Sequence, residues 1–359
     1  MSNRKKPYLF SVKELIKIED DCDYLFLIGA RGNGKSYAVK SHMLKQAFDN
    51  IQNNKCYKQI GYIRRFALDC KDSLLEPYFA DMPIQEITNG QYDCVSVYRK
   101  KIYFANIDDD GHIQRHVCIG QCFALSSAEH YKSLMYPDIY NIVFEEVISQ
   151  DNSYLYKEVT IKFQQLISTI LRNRKGKVYL IGNTLARQCP YYNEFGLIGA
   201  ENIPIGKSNK YILGDTKITV YHVKPTDYNS GMFWGNSAKN ITQGEYITEI
   251  QPHLDGNIKD YKIIYTCVLK YDNFKYLMQV LRGADGIPFW YVSPKTTDIQ
   301  KDTRVIAMEY NSSLYWTHGF LPLTSNEDKI FKMLLKGKKV CFSDNLTGTE
   351  FNNIIKNFE

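Results

Sequence analysis

Two hydrophobic rhythms alternate along the first half of the chain. "YLFLI", Tyr24 to Ile28, is an unbroken apolar run of strand length, whereas from Ser36 onward Val39, Met43, Leu44, Ala47 and Phe48 recur on one face of a helix. The alternation then repeats. "QIGYIRRF" reads as a strand ending in Arg64 and Arg65, and Ile142, Val143 and Phe144 form a buried strand in "YNIVFEEVISQD". Residues 151–171 space Val159, Phe163, Leu166, Ile167 and Ile170 at a helix period, and "GKVYLIGNT" is a further buried strand that ends at Asn183. Continuous apolar strands separated by helices predict an α/β fold, a parallel sheet with helices on both faces. Residues 95–125 instead hold two alternating segments around an Asp110-Gly111 turn, which predicts a β-hairpin in or beside that sheet.

Past residue 195 the rhythm changes. Residues 196–257 are rich in Gly, Asn and Tyr with little sustained periodicity and read as a linker region. From Asp260, "YKIIYTCVLKY", "FKYLMQVLR" and "IPFWYVS" predict antiparallel strands, followed by a helix near 326–336, a strand "KVCFS" and a last helix to Phe358. The expected organisation is an α/β domain at 1–195, a linker at 196–257 and a smaller α/β domain at 258–359.

The strand-to-helix turn at the start carries the clearest chemistry. Gly29 to Ser36 fits G-x-x-x-x-G-K-[ST], the P-loop pattern, in the strand–loop–helix context that it requires. The nucleotide-binding segment is Gly29, Ala30, Arg31, Gly32, Asn33, Gly34, Lys35, Ser36 and Tyr37. Gly32 and Gly34 let backbone amides crowd around a polyphosphate, and the helix N-terminus adds further donors. Lys35 is placed to neutralise phosphate charge and the Ser36 hydroxyl to ligate Mg²⁺, so ATP and Mg²⁺ are the expected cofactors. The bland alternative, an ordinary glycine turn, is disfavoured by this placement.

A P-loop needs a second strand ending in acid, and Glu145-Glu146 supplies one: Glu145 for Mg²⁺, Glu146 as general base. Asn183, at the tip of the next strand, is either a γ-phosphate sensor or a strand-end turn residue. Arg172 and Arg174 follow the 151–171 helix directly; they either favour its dipole or offer an arginine finger to a neighbouring subunit. Arg64, Arg65 and Lys132 read as solvated charge or as contacts to DNA.

Composition narrows the classes without choosing among them. The chain has 359 residues, 44% hydrophobic and 23% charged, with no low-complexity tract or internal repeat. Its basic start lacks an apolar signal core and no run approaches the ~20 apolar residues of a membrane span, so a cytoplasmic protein is expected. Nine scattered cysteines suit reduced thiols, and His116, Cys118 and Cys122 lack the second ligand pair of a zinc site. A net charge of +6 permits a polyanion partner without demanding one.

Taken in order, "FLIGARGNGKSYA", "YIRRF", "SSAEHYKSLMYPDIYNIVFEEVI", "LRNRKGKVYLIGNT" and "PYYNEF" resemble the double-stranded DNA packaging ATPases of phi29-like phages, small relatives of large terminases. The resemblance covers about the first 195 residues. It implies an ASCE, RecA-like P-loop ATPase with a degenerate ribonuclease-H-like second domain. Such a protein works as a homo-oligomeric, pentameric ring in the host cytoplasm, transiently at the portal vertex of the procapsid, translocating double-stranded DNA with ATP hydrolysis. The portal and a scaffold RNA are the further partners that it allows. By motif matching, Lys35 is the Walker A lysine, Glu146 the catalytic glutamate, Arg172 the finger acting in trans and Asn183 the sensor. Two departures stand out: Glu145 where the family usually has Asp, and Ala67 near the place of a further basic residue after the paired arginines. Competing readings are a stand-alone P-loop enzyme, such as a nucleotide or small-molecule kinase, for which no lid or acceptor site shows, and a nucleotide-regulated structural protein that would not need Glu146. No nuclease activity is expected, because the first strand of the second domain holds no carboxylate.

Overall fold

A computed structural model describes residues 8–53, 58–148, 159–226, 246, 248–307, 311–318 and 339–355. The chain divides into two compact units, 1–246 and 247–359. No described helix is long and apolar enough to cross a membrane.

The first unit runs α1 (Val12–Glu19), β1 (Tyr24–Gly29), α2 (Lys35–Gln52), β2 (Gln59–Arg64), α3 (Asp72–Phe79), a one-turn α4 (Ile84–Ile87), then β3 (Cys94–Tyr98), β4 (Lys101–Ile107) and β5 (Ile113–Ala124). It continues through a one-turn α5 (Ala128–Tyr131), β6 (Ile139–Glu145), α6 (Val159–Leu171), β7 (Lys177–Asn183), α7 (Pro190–Glu194), β8 (Ser208–Leu213) and β9 (Thr216–Val223). These strands form one nine-stranded sheet in the order β3-β4-β5-β2-β6-β7-β1-β9-β8. The central strands β5, β2, β6, β7, β1 and β9 pair in parallel. Placing β7 between the P-loop strand β1 and the acid-ending strand β6 is the strand order of an ASCE P-loop fold. One apolar layer packs α1, α2 and α3 against the sheet, with Leu15, Val39, Leu44 and Phe79 inside it, while Phe163, Leu166 and Tyr191 from α6 and α7 fill the other. Both faces are therefore covered, which is why the central strands carry apolar side chains at nearly every position.

Two expectations change here. Residues 208–223 lie within the expected linker, yet β8 and β9 are strands of the main sheet, and β9 pairs residue for residue with the P-loop strand from Tyr24↔Ile218 to Gly29↔Val223. A local signal existed in the β-branched and aromatic run "ITVYHV" after a Gly214-Asp215 turn. The single hairpin expected at 95–125 is a three-stranded meander, because a second tight turn occupies Arg99 and Lys100. Neither residue is an ordinary turn former.

In the second unit, β10 (Lys262–Tyr271), β11 (Phe274–Arg282) and β12 (Pro288–Pro294) form the expected antiparallel meander, turning at Asp272. The short strands β13 (Val305–Ala307) and β14 (Trp316–His318) add parallel to β10, and β15 (Val340–Phe342) adds parallel to β12. The sheet order is β14-β13-β10-β11-β12-β15. A last helix, Asn345–Ile355, packs Phe351 and Ile354 onto it. The expected helix near 326–336 lies outside the described residues, as does the end of the last helix beyond Ile355.

Candidate nucleotide site

Parallel register brings the candidate residues to one edge of the sheet. Gly29 lies beside Asn183, and Glu145 beside Ile181, so the ends of β1, β7 and β6 meet at their carboxyl edge, where open α/β sheets bind ligands. After Gly29 the chain turns through Gly32 and Gly34, both left-handed, with φ of 74° and 91°. At Gly34 a Cβ would also stand 2.9 Å from the Phe10 carbonyl, so only glycine fits. Gly34 caps α2 without a side chain, leaving the helix N-terminal amides facing the turn.

Lys35 is buried. Its Nζ donates to the carbonyls of Gly29 (3.0 Å) and Ala30 (2.6 Å) and to Oδ1 of Asn33 (3.0 Å) and Asn183 (3.4 Å). Burial pushes this ammonium down to about 7, with the nearby Glu145 carboxylate opposing the shift. Asn33 is fixed in turn by donating from Nδ2 to the Lys224 carbonyl at 3.2 Å, a tie from the P-loop to the segment just beyond β9.

Glu145 is buried as well. Its two oxygens accept from Ser36 Oγ (3.1 Å) and from the Tyr78 hydroxyl (2.7 Å). Burial raises its carboxyl above the ordinary value, while those two hydrogen bonds, Arg64 and Lys35 pull it back. A hydroxyl and a carboxylate converging beside a lysine are the donor set that Mg²⁺ takes when it bridges protein and polyphosphate, so Ser36 and Glu145 fit that ion.

Glu146 is the more exposed of the two acids. Its backbone is left-handed, φ 59°, and its side chain is 58% exposed. The carboxylate pairs with Arg64 Nη2 at 3.0 Å and its carbonyl accepts from Arg65 Nη2. One cavity of about 600 Å³ is lined by Arg31 to Tyr37, Lys40, Arg64, Tyr78, Asp81, Glu145, Glu146 and Asn183. That is room for a nucleotide.

Arg172, Arg174, Lys132 and Arg65 lie outside this cavity, Gly29 and Ala30 reach it only through the carbonyls that hold Lys35, and Arg64, Lys40 and Tyr78 join its wall. Arg172 is exposed at the end of α6, its Nη2 donating to the Leu134 carbonyl at 3.3 Å, and β7 begins just after it. It therefore sits a full strand length from the carboxyl edge, about 20 Å at ~3.3 Å per residue, and cannot serve its own chain's cavity. Arg174 is half-buried, donating to the carbonyls of Tyr136 and Ile170, and Lys132 pairs with Glu129 at 2.6 Å on the surface. Arg64 and Arg65, read from sequence as solvated or DNA-facing, instead converge on Glu146, because β2 lies beside β6 in the sheet and its end meets the acid pair. Tyr78 carried no signal as a site residue, and Lys40 almost none. Lys40 donates to Asp81 (2.6 Å) and lies 4.4 Å from the Tyr78 ring, buttressing it. Its spacing of four from Ser36 on α2 is the one hint that the sequence offered.

Known proteins give this geometry a context. The chain is 28% identical over 251 residues to the DNA packaging protein of Bacillus phage B103, covering 68% of this chain and 71% of that one. It is 31% identical over 176 residues to the DNA packaging protein of Bacillus phage phi29, covering 48% of this chain and 46% of that one. A solved chain of the phi29 viral genome packaging motor assembly superposes with a TM-score of 0.57 at 20% identity, over 98% of this chain and all of that one, and so shares the fold. The family model of the podovirus DNA encapsidation protein (Gp16) matches residues 6–293. With the P-loop, the paired acids and that match in hand, the chain belongs to the podovirus DNA encapsidation protein family.

Proposed function

We propose that this chain is the ATPase of a phage DNA-packaging motor, working as a homo-oligomeric, pentameric ring at the portal of the procapsid in the host cytoplasm. The observation that carries the ATPase reading is the convergence of Lys35, the Ser36–Glu145 pair and Glu146 on one nucleotide-sized cavity. In this reading the P-loop amides and Lys35 hold the β- and γ-phosphates of ATP. Ser36 and Glu145 would hold Mg²⁺, which when bound would neutralise charge developing on those phosphates. Glu146 accepts the proton of the attacking water, and to do so it must leave Arg64. Asn183, already hydrogen-bonded to Lys35, senses whether the γ-phosphate is present. Arg172 completes a neighbouring subunit's site, a role consistent with its distance from its own. The second unit is a vestigial nuclease fold that does not cut DNA, since β10 carries no carboxylate.

The test is ATP turnover with and without double-stranded DNA. Lys35→Ala abolishes nucleotide-dependent activity. Glu146→Gln retains ATP binding but loses about 10²–10⁴-fold in hydrolysis, the usual worth of a positioned base. Normal hydrolysis by Glu146→Gln would move the base elsewhere, with Glu145 the first suspect, and a wild-type turnover indifferent to DNA at every protein concentration would count against the motor.

A further inference from the structure

The turn joining β3 to β4 is built from the wrong residues for its shape. Tyr98 pairs with Lys101 across it, so Arg99 and Lys100 are its two central residues, and both are left-handed, with φ of 50° and 63°. Such a turn is met at least strain by Asn and Gly. Here it carries two long cationic side chains, both exposed. The strain is held by Asp72, the first residue of α3, whose two carboxylate oxygens accept from the amides of Arg99 (2.7 Å) and Lys100 (2.9 Å). Around the turn the cationic character continues. Lys101 is exposed, and the Tyr98 ring, also exposed, has the Arg99 guanidinium 5.2 Å and the Arg115 guanidinium 4.8 Å from its centre. Arg115 is aimed by donating from Nε to Ser96 Oγ at 3.0 Å.

We propose that this turn, with Tyr98, Lys101 and Arg115, is a contact for the phosphate backbone of double-stranded DNA. Backbone strain in a folded protein persists where function uses it, and here the side chains that the strain presents are two cations. Charge needed only for solubility would sit as well on any unstrained surface position. Guanidinium forks match phosphate oxygens in pairs, lysines add point charge, and a rigid exposed turn presents both to a duplex surface without a further backbone ordering cost. The assignment rests on the packaging reading for the identity of the polyanion, and it moves the DNA contact away from Arg64 and Arg65, which Glu146 engages.

The experiment uses a substitution that removes charge while relieving strain. Arg99→Asn combined with Lys100→Gly installs the residues this turn geometry favours, so the full-length variant should unfold at the same temperature as wild type or higher. Its binding to a random-sequence DNA duplex, followed by fluorescence anisotropy across a salt series, should weaken at low salt. The slope of log affinity against log salt should become shallower by about 2, at roughly 0.9 for each phosphate that the variant no longer neutralises. Exchanging the pair, Arg99→Lys with Lys100→Arg, should keep the slope. Basal ATP turnover should be unchanged in both, and DNA stimulation reduced only in the Asn-Gly variant. Equal affinity and slope in wild type and the Asn-Gly variant overturn the proposal and leave the motor reading standing. Absence of duplex binding by wild type overturns both. Loss of binding to an acidic polypeptide probe with duplex binding unchanged assigns the turn to a protein partner and overturns it too.

Discussion

Lys35 shows how one side chain depends on a ligand that supplies what its surroundings lack. It is buried with carbonyl and amide oxygens around it, and burial depresses its ammonium to about 7. The unfolded chain keeps that proton up to the ordinary lysine value near ~10.4. Below about 7 both states hold it and the cost of burying the charge is full; as pH climbs from about 7 toward 10 the folded state has released the proton and that cost lifts. The nucleotide-free protein should therefore gain stability over this window relative to Lys35→Met. A triphosphate reverses the shift. Near pH ~8, ATP binding by wild type should take up roughly one proton, read from binding enthalpies in buffers of different ionisation heat, and Lys35→Met should take up none. Proton-neutral binding by wild type would mean that the surrounding oxygens already keep Lys35 charged.

Among the elements, α3 links two sites that are far apart in sequence. Its first residue clamps the Arg99–Lys100 turn, and Tyr78, near its end, donates to Glu145. The Tyr78 ring lies 4.5 Å from that of Tyr62 and 4.4 Å from Lys40 Nζ, so the hydroxyl is held in place. One Glu145 carboxylate reaches Ser36 and Tyr78 together, through one oxygen each. The Tyr78 hydroxyl fixes the orientation of the Glu145 carboxylate before any ion arrives, so Tyr78→Phe should weaken Mg²⁺-dependent ATP binding, while leaving metal-free nucleotide binding and DNA binding unchanged. In a Glu145→Asp background the same substitution should have little further effect, because the shorter acid does not reach Tyr78. Additive losses in the double variant would show that Tyr78 acts on something other than Glu145.

At the scale of the whole molecule, the nucleotide cavity and Arg172 occupy opposite ends of the sheet. An arginine so placed either completes the site of another copy or has no catalytic part. Arg172→Ala protein should fold, bind ATP and hydrolyse it on the order of 10³-fold more slowly. Mixed with Glu146→Gln subunits it should recover turnover, since some interfaces then pair an intact Glu146 with an intact Arg172 from the neighbour. Turnover measured at low DNA load allows isolated interfaces to act. Near-normal hydrolysis by Arg172→Ala would remove the assignment. Arg174 is a poor replacement, because its guanidinium is spent on the carbonyls of Tyr136 and Ile170.

What was legible in the sequence is what neighbours along the chain determine. The P-loop, the helix after it, the acids ending β6 and the asparagine ending β7 follow from periodicity and from glycines whose backbone freedom is a local property. So does the meander of the second unit, set by alternating strands and an Asp-Asn turn. Strand order is not local. That β2 lies beside β6, bringing Arg64 and Arg65 to Glu146, depends on parallel pairing across some eighty residues. The same long-range pairing seats β9 against the P-loop strand, where composition had suggested a linker. Tyr78 reaches Glu145 only because α3 packs over that edge, and the Arg99–Lys100 turn escapes notice because its strain is held by a carboxylate twenty-seven residues upstream. Periodicity says which face of an element is buried; only the folded sheet decides which buried face and which strand end it meets.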